Sequence, residues 1–430
     1  MLTQPIGRKY VTQNPGSKRR IKAALSLCAV YSCVGVLHVV PLGRQCVWGL
    51  GAVMVLHALR LICCRLQRTW AASGDYHPSV SLLVSAKNEE LVIERLVEQL
   101  TRLDYAPLEV WVVNDASTDR TGEILTKLQQ KYDQLKVLHR PPNSPGGKSG
   151  ALNQVLHLSQ GEIIGVFDAD AQIAPDALNP IVGLFAQENL GAVQLRKSIA
   201  NRAVNFLTRG QASEMAMDLW LQEHRVGIGG LGELRGNGQF VRRSALLACG
   251  GWNEHTITDD LDLTFRLHLN GWDIACLLNP AVEEEGVLTF KQLWHQRNRW
   301  AEGGYQRYLD YFPYLGRIKG TKGVDLWLFF LSQYLLPTAS VPDAVLSIGL
   351  GRFPLLLPLV IFSLMLSFVA MVLGIRRAYK TPWLRAFGET IAGTIYILHW
   401  IPVMTSVTLR MAIRPKRLKW VKTEHLGQGS

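Results

Sequence analysis

Two aspartates that directly follow an apolar, strand-like stretch have the residue types and spacing of a metal site. Asp168 and Asp170 flank one small residue, Ala169, immediately after residues 163–167. At the end of one strand both carboxylates can reach the same point, and two hard oxygen ligands suit Mg²⁺ or Mn²⁺ with positions left open for phosphate oxygens. A pair of turn or capping acids is the alternative, because an isolated D-x-D pattern is common. The pair alone leaves both interpretations open.

A second group of acids could supply a general base. Asp259, Asp260 and Asp262 place three carboxylates in four positions beside a predicted apolar helix over 261–269. Acids are favourable at a helix start, where they cap backbone N–H groups and interact with the helix dipole. Capping accounts for one or two of these acids and not for the whole cluster, so we consider a catalytic role.

A third group of candidate residues lies on a predicted helix over 290–308 that is rich in aromatic and cationic residues. Gln296, Arg299 and Trp300 are its polar and aromatic candidates for substrate contact. An amphipathic helix at a membrane surface has the same composition. The two interpretations are compatible.

The elements that must position these residues alternate between strand and helix. We predict strands over 80–85, 108–113, 135–139 and 163–167, and helices over 91–103, 118–132 and 154–158. This alternation indicates a mostly parallel, Rossmann-like sheet that binds ligands beyond the carboxyl ends of its strands. Polar residues follow these ends: Lys87, Asn88 and Glu89 after the first strand, and Asn114 and Asp115 after the second.

The distribution of charge excludes a nucleic-acid-binding protein. The chain of 430 residues has a net charge of +12, but residues 75–316 carry 22 basic and 30 acidic side chains. The excess of basic residues lies entirely in the two flanks. Binding to nucleic acid requires the basic residues on the folded surface that meets phosphate. We therefore expect no nucleic-acid partner.

Both flanks contain apolar stretches of membrane-spanning character. Residues 23–40, 353–375 and 390–409 have no charged side chain, and 46–59 is a shorter apolar stretch. About 20 apolar residues span a bilayer, so we predict four or five membrane segments, with 326–350 ambiguous because Pro337, Pro342 and Asp343 interrupt it. The first two segments form a helical hairpin.

Basic residues predict the orientation of the segments. Six Lys or Arg residues precede the first segment, which places the N-terminus and the central domain in the cytoplasm. Basic clusters at 376–385 and 410–422 flank the last apolar segment and both favour the inside. One spanning helix cannot satisfy both, so that segment is re-entrant or one cluster lies outside.

In order along the chain, the motifs resemble those of membrane-bound inverting glycosyltransferases of family 2. These motifs are Asn88-Glu89, Asp115, Asp168-Ala169-Asp170, Thr258-Asp259-Asp260 and Gln296-x-x-Arg299-Trp300. The strings GELRGNGQFVRR, TITDDLDLTFRLHL and LWHQRNRWAEGGYQRYLDY are similar to a branch of the family that glucosylates diacylglycerol. One departure is Asp259, where the family usually has glutamate. The expected base is retained at Asp260, whereas the supporting role of position 259 is open.

The resemblance implies a GT-A fold that moves glucose from UDP-glucose to the 3-hydroxyl of 1,2-diacylglycerol with inversion. It assigns catalysis to Asp260, Asp170, Arg299 and Trp300, and Mg²⁺ or Mn²⁺ to Asp168 and Asp170. Donor binding falls to Asn88, Glu89, Asp115, Lys148, Asp168 and Gln296. Anionic membrane lipids are further expected partners. A processive polysaccharide synthase, a polyprenyl-phosphate glycosyltransferase and a non-catalytic membrane sensor of nucleotide-sugars remain alternatives.

These expectations define six regions of an integral multi-pass protein of the plasma or photosynthetic membrane. They are a basic cytoplasmic N-terminus (1–22), a transmembrane hairpin (23–66), the cytoplasmic GT-A domain (75–285), interfacial helices (286–322), a C-terminal transmembrane region with two or three segments (323–413) and a basic tail (414–430).

Overall fold

A mixed β-sheet forms the centre of the protein in the computed structural model, which describes residues 18–64, 66 and 73–414. Within these residues the sheet has seven strands: β1 (Val80–Ala86), β2 (Leu108–Asp115), β3 (Leu135–Arg140), β4 (Ile163–Phe167), β5 (Leu190–Ile199), β6 (Gln239–Arg242) and β7 (Asp273–Glu284). Their order across the sheet is β3-β2-β1-β4-β6-β5-β7.

The first four strands are parallel, as the sequence predicts. β1 pairs with β2 and β4, and β2 pairs with β3. Every residue of β4 is buried, which fits the continuous apolar sequence of a strand covered on both faces. In the other half of the sheet β6 runs antiparallel to both β4 and β5, whereas β5 and β7 pair in parallel, so the described sheet is mostly parallel as expected.

Helices flank the sheet and the membrane segments flank the helices. Before the sheet come α1 (Arg19–Val39) and α2 (Gly43–Ile62). The central domain, residues 73–289, contains α3 (Ile93–Thr101), α4 (Thr121–Lys131), α5 (Gly147–Leu156), α6 (Leu178–Val182), α7 (Phe206–Gly227), α8 (Arg243–Ala248) and α9 (Asp259–Leu269). After it come α10 (Phe290–Leu315), α11 (Gly320–Phe330), α12 (Leu336–Gly349), α13 (Leu357–Tyr379), α14 (Trp383–Ile397) and α15 (Trp400–Ile413).

Local sequence fixes the starts of the two helices that border the site. At α7 the Asn205 side chain accepts a hydrogen bond from the Thr208 backbone N–H at 3.0 Å, and the Thr208 hydroxyl accepts one from the Asn205 N–H at 3.1 Å. Thr289 and Gln292 make the same reciprocal arrangement at the start of α10. These capping boxes satisfy N–H groups that the helix itself leaves unpaired.

Five helical segments of the described residues are long and apolar enough to cross a membrane. They are Arg19–Val39, Gly43–Ile62, Gly320–Gly349, Leu357–Tyr379 and Trp383–Ile413. This agrees with the prediction of four or five segments, and it includes the ambiguous one, in which a π-helical turn at Leu331–Leu335 joins α11 to α12. The basic residues before Lys18 and after Arg414, on which part of the predicted orientation depends, lie outside the described residues.

The last apolar segment, which lies between two basic clusters, consists of two helices. Leu398 and His399 separate α14 from α15. Arg377, before the segment, lies 3.2 Å from Glu223 of α7, and Arg410, near its end, donates to the Asn298 side chain of α10 at 2.7 Å. Both ends therefore contact the central domain or α10, and the choice between a re-entrant segment and an outside cluster stays a prediction.

The membrane helices and the central domain share one packed interior. Gly374 of α13 lies so close to α7 that an added Cβ would be 2.1 Å from the Ala216 carbonyl oxygen. Gly210 of α7 contacts the Tyr396 ring of α14 with similar closeness. Glycine allows two helices to approach at their backbones, so α7 is held directly against both α13 and α14.

Helix α10 is more enclosed than an amphipathic helix resting on a membrane surface. It packs between α9 of the central domain and the membrane-side helices α1 and α15. Arg297 and Tyr311 are fully buried within it, whereas Phe290 and Phe312 are exposed. The helix is longer than the predicted 290–308, and it joins the two parts of the protein.

Candidate active site

The sheet, its loops and the helices α5, α9 and α10 bring every predicted site residue to one cavity. The cavity has a volume of about 930 Å³ and lies beyond the carboxyl ends of β1, β2 and β4. Its lining includes all ten candidates: Asn88, Glu89, Asp115, Lys148, Asp168, Asp170, Asp260, Gln296, Arg299 and Trp300. Residues separated by more than 200 positions in the sequence thus face the same space.

The loop after β1 forms one end of the cavity. Asn88 has a left-handed backbone conformation with φ of 57°, and its side-chain oxygen accepts a hydrogen bond from the Thr118 N–H at 2.7 Å. The backbone N–H of Glu89 donates to the Thr121 hydroxyl at 2.7 Å. Asn88 and Glu89 therefore fix this loop against the start of α4.

Asp115 at the end of β2 is tied to the loop before α5. Its carboxylate lies 2.6 Å from the Arg140 guanidinium, which also donates to the Pro145 and Gly147 carbonyl oxygens. Both Asp115 and Arg140 are buried. This ion pair fixes the position of the loop that leads to Lys148, in the first turn of α5.

Lys148 and Asp168 form an ion pair inside the cavity. Burial alone would raise the pKa of Asp168, but the charges of Lys148 and Lys197 outweigh burial and hold this pKa below its ordinary value. Burial likewise opposes the charge of Lys148, yet Asp168 and Asp259 raise its pKa above the ordinary value. Both groups are therefore charged at neutral pH.

The donor set of the cavity fits a divalent cation that is completed by phosphate. Asp170 accepts a hydrogen bond from the Glu285 N–H at 2.9 Å, which orients its carboxylate, and it lines the cavity together with Asp168. The described residues contain no cluster of three or more His, Cys, Asp or Glu side chains arranged around a metal. A pair of carboxylates is sufficient for Mg²⁺ when water and substrate phosphates provide the other ligands.

The charges of the side chains that line the cavity also favour a bound divalent cation. Twelve carboxylate side chains line it against six basic side chains. A diphosphate in such surroundings would be repelled unless cations offset the acids. A bound divalent ion would therefore make the cavity compatible with a nucleotide.

Asp260 lies at the start of α9, beside the loop before β6. The Leu234 N–H donates to the Thr264 hydroxyl at 2.9 Å, and this contact fastens the loop to α9. Gly236 of the loop adopts φ of 83°, and a Cβ added there would lie 3.5 Å from Asp260 Oδ2. Burial and the charge of Asp259 raise the pKa of Asp260 to about 6. Its carboxylate is thus ionised at neutral pH and able to accept a proton.

Arg299 interacts electrostatically with the acids at the end of β4 and with those at the start of α9. Burial lowers the pKa of Arg299, while the charges of Asp168 and Asp260 act in the opposite direction. One guanidinium is therefore close enough to interact with both the strand-end acids and the helix-start acids.

The neighbouring Trp300 is positioned by a buried ion pair. The Arg297 guanidinium stacks 4.0 Å from the Trp300 ring centroid and lies 2.6 Å from Glu214 of α7. Glu214 also accepts hydrogen bonds from the Tyr396 hydroxyl at 3.2 Å and from Trp400 Nε1 at 2.7 Å. Glu214 thus connects α7, α10 and the break between α14 and α15.

Several residues of the cavity were not among the predictions. Lys197 of β5 lies 2.8 Å from Glu284 of β7 and 5.4 Å from the Trp300 ring centroid. Arg235 pairs with Asp218 at 2.8 Å and also contacts Glu233. The string 232–243 contains Arg235 and could have drawn attention to it. Nothing in the local sequence distinguishes Lys197.

The cavity continues away from the acids into the membrane-spanning part of the protein. The described residues that form this membrane arm of the cavity are uncharged, although Arg307 and Glu214, which line the cavity too, contact two of them, Tyr334 and Trp400. Its walls come from α11–α15 and the π-helical turn, and they consist of Phe329, Ser332, Gln333, Tyr334, Leu336, Pro337, Ser340, Val360, Ser363, Leu364, Ser367, Ile397, Leu398, Trp400, Ile401 and Met404. A single space therefore joins a charged end to an uncharged end.

Comparisons with known proteins concern nearly the whole chain. The model of the family described as "Glycosyltransferase like family 2" matches residues 77–303. The sequence is 53% identical to a β-monoglucosyldiacylglycerol synthase of Nostoc sp., over 96% of this chain and 90% of the relative. It is also 53% identical to the Synechocystis sp. protein of that name, over 95% and 88% of the two chains.

Among solved structures, the mannosyltransferase PcManGT from Pyrobaculum calidifontis, in complex with GDP-Man and Mn²⁺, has a similar fold. The TM-score is 0.55 at 21% sequence identity, and the match covers 86% of this chain and 99% of that chain. This similarity concerns the arrangement of the elements and agrees with the expected α/β architecture.

Proposed function

Since the chain belongs to the glycosyltransferase-like family 2 and has a GT-A fold, we propose that it transfers glucose from UDP-glucose to the 3-hydroxyl of 1,2-diacylglycerol. The product is β-monoglucosyldiacylglycerol. The observation that carries the proposal is the single cavity in which carboxylates suited to a nucleotide-sugar reaction continue into an uncharged space between membrane helices. The names of the two relatives described above support the choice of sugar and acceptor.

In this reaction the acceptor hydroxyl attacks the anomeric carbon as Asp260 takes its proton. The new bond joins the glycerol oxygen to the sugar, and the bond between the sugar and the β-phosphate of UDP breaks. One displacement inverts the anomeric centre, so an α-linked donor gives a β-glucoside without a covalent glycosyl-enzyme. The raised pKa of Asp260, about 6, suits a base that works near neutral pH.

The donor is held by the charged end of the cavity. Asn88, Glu89 and Asp115 would bind the uridine part, and Lys148 would contact the diphosphate beside Asp168. Asp168 and Asp170 would hold Mg²⁺ or Mn²⁺, and such an ion would offset the negative charge of the departing UDP. Arg299 and Trp300, with Gln296, would close the diphosphate and sugar off from the membrane side.

The chemistry of the cavity favours a neutral acceptor. The attacking oxygen of a polyprenyl phosphate belongs to the phosphate itself, so this anion would lie beside Asp260, where the carboxylates that line the cavity outnumber the basic side chains and would repel it. Diacylglycerol brings only hydroxyl and ester groups. Because each buried CH₂ contributes about 0.8 kcal/mol to membrane binding, a lipid with two acyl chains stays in the bilayer, and the enzyme must meet it there.

The orientation follows from the donor and from the basic flanks. We place the GT-A domain on the cytoplasmic face, since soluble nucleotide-sugars are substrates of the cytoplasm and Lys and Arg concentrate in cytoplasmic loops. Basic residues of α10 and its surroundings, such as Lys291 and Lys319, would then face anionic lipid headgroups.

Product analysis tests the proposed function. Full-length protein in vesicles that contain dioleoylglycerol, supplied with Mg²⁺ and labelled UDP-glucose, should form a glucolipid whose anomeric proton shows β linkage. Parallel reactions with UDP-galactose, GDP-mannose and a polyprenyl phosphate should give much less product. An α-linked product, a phospholipid-linked sugar or an insoluble polymer would each contradict the proposal.

The pH profile tests the role of Asp260. Only its ionised form can accept the proton, so kcat/KM should fall tenfold per pH unit below about 6, the pKa of Asp260, and level off above it. Asp259→Asn is the matched control. Because the Asp259 charge raises this pKa, its removal should move the acidic limb to lower pH. An unshifted limb in Asp259→Asn would contradict the coupling of the two acids.

A further inference from the structure

The membrane arm of the cavity has the shape and chemistry of a lipid-binding groove. On α13 the residues that line it are Val360, Ser363, Leu364 and Ser367. Their spacing of three and four places them on one helical face. They cover about 10 Å along the helix axis, roughly a third of the thickness of a bilayer hydrocarbon core.

The opposite walls are largely aliphatic. Leu336, Pro337 and Ser340 of α12 line one side, and Ile401 and Met404 of α15 line the other. The space between three helices therefore offers hydrocarbon surface to an acyl chain and a few hydroxyl groups to something weakly polar. Polar side chains within membrane helices usually face the protein interior and mark a substrate path.

One buried hydroxyl group of the arm lacks a hydrogen-bond acceptor. Ser332 donates to the Phe329 carbonyl oxygen at 3.2 Å, and Ser340 donates to the Leu336 carbonyl oxygen at 2.9 Å, so both are satisfied by their own helix. In this conformation the Ser363 hydroxyl oxygen is inaccessible to solvent and has no partner among the described residues. The residue itself lines the cavity, so rotation about its Cα–Cβ bond would be needed to present the hydroxyl to a ligand. A buried donor of this kind requires an explanation, since nearly all buried polar groups are paired.

We propose that α12, α13 and α15 bind the glycerol backbone and the first part of one acyl chain of the acceptor, with the Ser363 hydroxyl donating to an ester carbonyl. This inference rests on the proposed function, since it concerns the acceptor of that reaction. An ester oxygen is an acceptor only and is uncharged, which matches an unpaired hydroxyl donor in a space without charged side chains. The groove aims the free 3-hydroxyl toward the acidic end of the cavity.

Two substitutions at neighbouring positions of α13 test whether the acceptor needs the space in the groove. Leu364→Trp fills the space, whereas Met365→Trp adds similar bulk at a residue that is 63% exposed on the outer side of the same helix. We expect Leu364→Trp to raise the KM for dioleoylglycerol at least tenfold, with the KM for UDP-glucose and UDP binding unchanged. Met365→Trp should have the same KM values as the wild-type protein.

A second experiment tests the hydrogen bond without a change in bulk. Ser363→Ala should lower kcat/KM about fivefold for the diester acceptor and leave it unchanged for the corresponding dialkyl ether, which has no carbonyl groups. Ser347→Ala is the control, because the Ser347 hydroxyl is also buried and without a partner but lies outside the cavity. It should affect the two acceptors equally.

The outcomes separate this inference from the function on which it rests. Suppose that the wild-type protein glucosylates dioleoylglycerol, that Leu364→Trp and Met365→Trp have the same KM for it, and that Ser363→Ala lowers kcat/KM equally for the diester and the diether. The proposed acceptor groove would then be wrong, while the proposed function would stand. If the unchanged protein forms no glucolipid from diacylglycerol, both fail. A selective loss for the diester in Ser363→Ala would support the inference even if Leu364→Trp failed to fold.

Discussion

Asp260→Asn should lower kcat by about 10²–10⁴-fold, the contribution expected of a general base. The amide has the shape of the carboxylate but cannot accept the proton of the acceptor hydroxyl. Because the substitution leaves the charged end of the cavity in place, UDP should bind with nearly unchanged affinity. Initial rates of glucolipid formation and calorimetric titration with UDP measure the two quantities.

The stability of this variant separates catalysis from folding. The pKa of Asp260 is raised to about 6, so the folded protein disfavours the ionised side chain at neutral pH. Replacing it with a neutral amide removes this unfavourable charge, and the midpoint of thermal unfolding should stay the same or rise. Full activity in Asp260→Asn, or a large fall in its thermal midpoint, would refute the assignment.

Removal of divalent cations should abolish transfer, and Mg²⁺ or Mn²⁺ should restore it. The physical reason is the excess of carboxylates around the cavity, which would repel the donor diphosphate if no cation were bound. Asp170→Asn should behave like the chelated protein across the accessible range of Mg²⁺ concentration. Transfer rates measured with EDTA and after titration with each metal provide the comparison.

Binding measurements provide a readout of the metal that does not depend on turnover. UDP affinity should increase strongly with Mg²⁺ in the unchanged protein and lose this dependence in Asp170→Asn. Glu254→Gln is the matched control, because it removes one carboxylate from the same cavity outside the Asp168–Asp170 pair. It should keep the metal dependence of UDP binding. Undiminished transfer in EDTA would contradict a metal-assisted reaction.

The first half of the sheet could be predicted because its strands are continuous apolar stretches, as in β4, that end in polar residues. The second half could not. β6 has only four residues, too few for an alternating pattern, and β7 contains Pro280, which in a sequence indicates an edge strand or no strand; the structure places β7 at the edge of the sheet. The mixed direction of the strands depends on pairing between distant segments, which local patterns do not encode.

The site, like the sheet, has a part that local sequence predicts and a part that depends on contacts between distant segments. Strand ends and short motifs indicated the residues that line the cavity, because topology alone brings such ends together. The partners that position them, such as Glu214 for Arg297, are 83 residues apart and become neighbours only through helix packing. The break between α14 and α15 was not predicted as such, because the two basic clusters left a re-entrant segment and an outside cluster as alternatives.

The close backbone approach of Gly374 to α7 means that the catalytic half of this protein cannot be cut free as a soluble enzyme. A truncation before α11 would uncover the side of α7 that carries Leu207, Ala216 and Met217, and an exposed apolar patch of this kind promotes aggregation. It would also remove one wall of the chamber in which sugar meets lipid. Extraction conditions that loosen the helices should therefore impair turnover, and the choice of detergent or nanodisc becomes part of the assay.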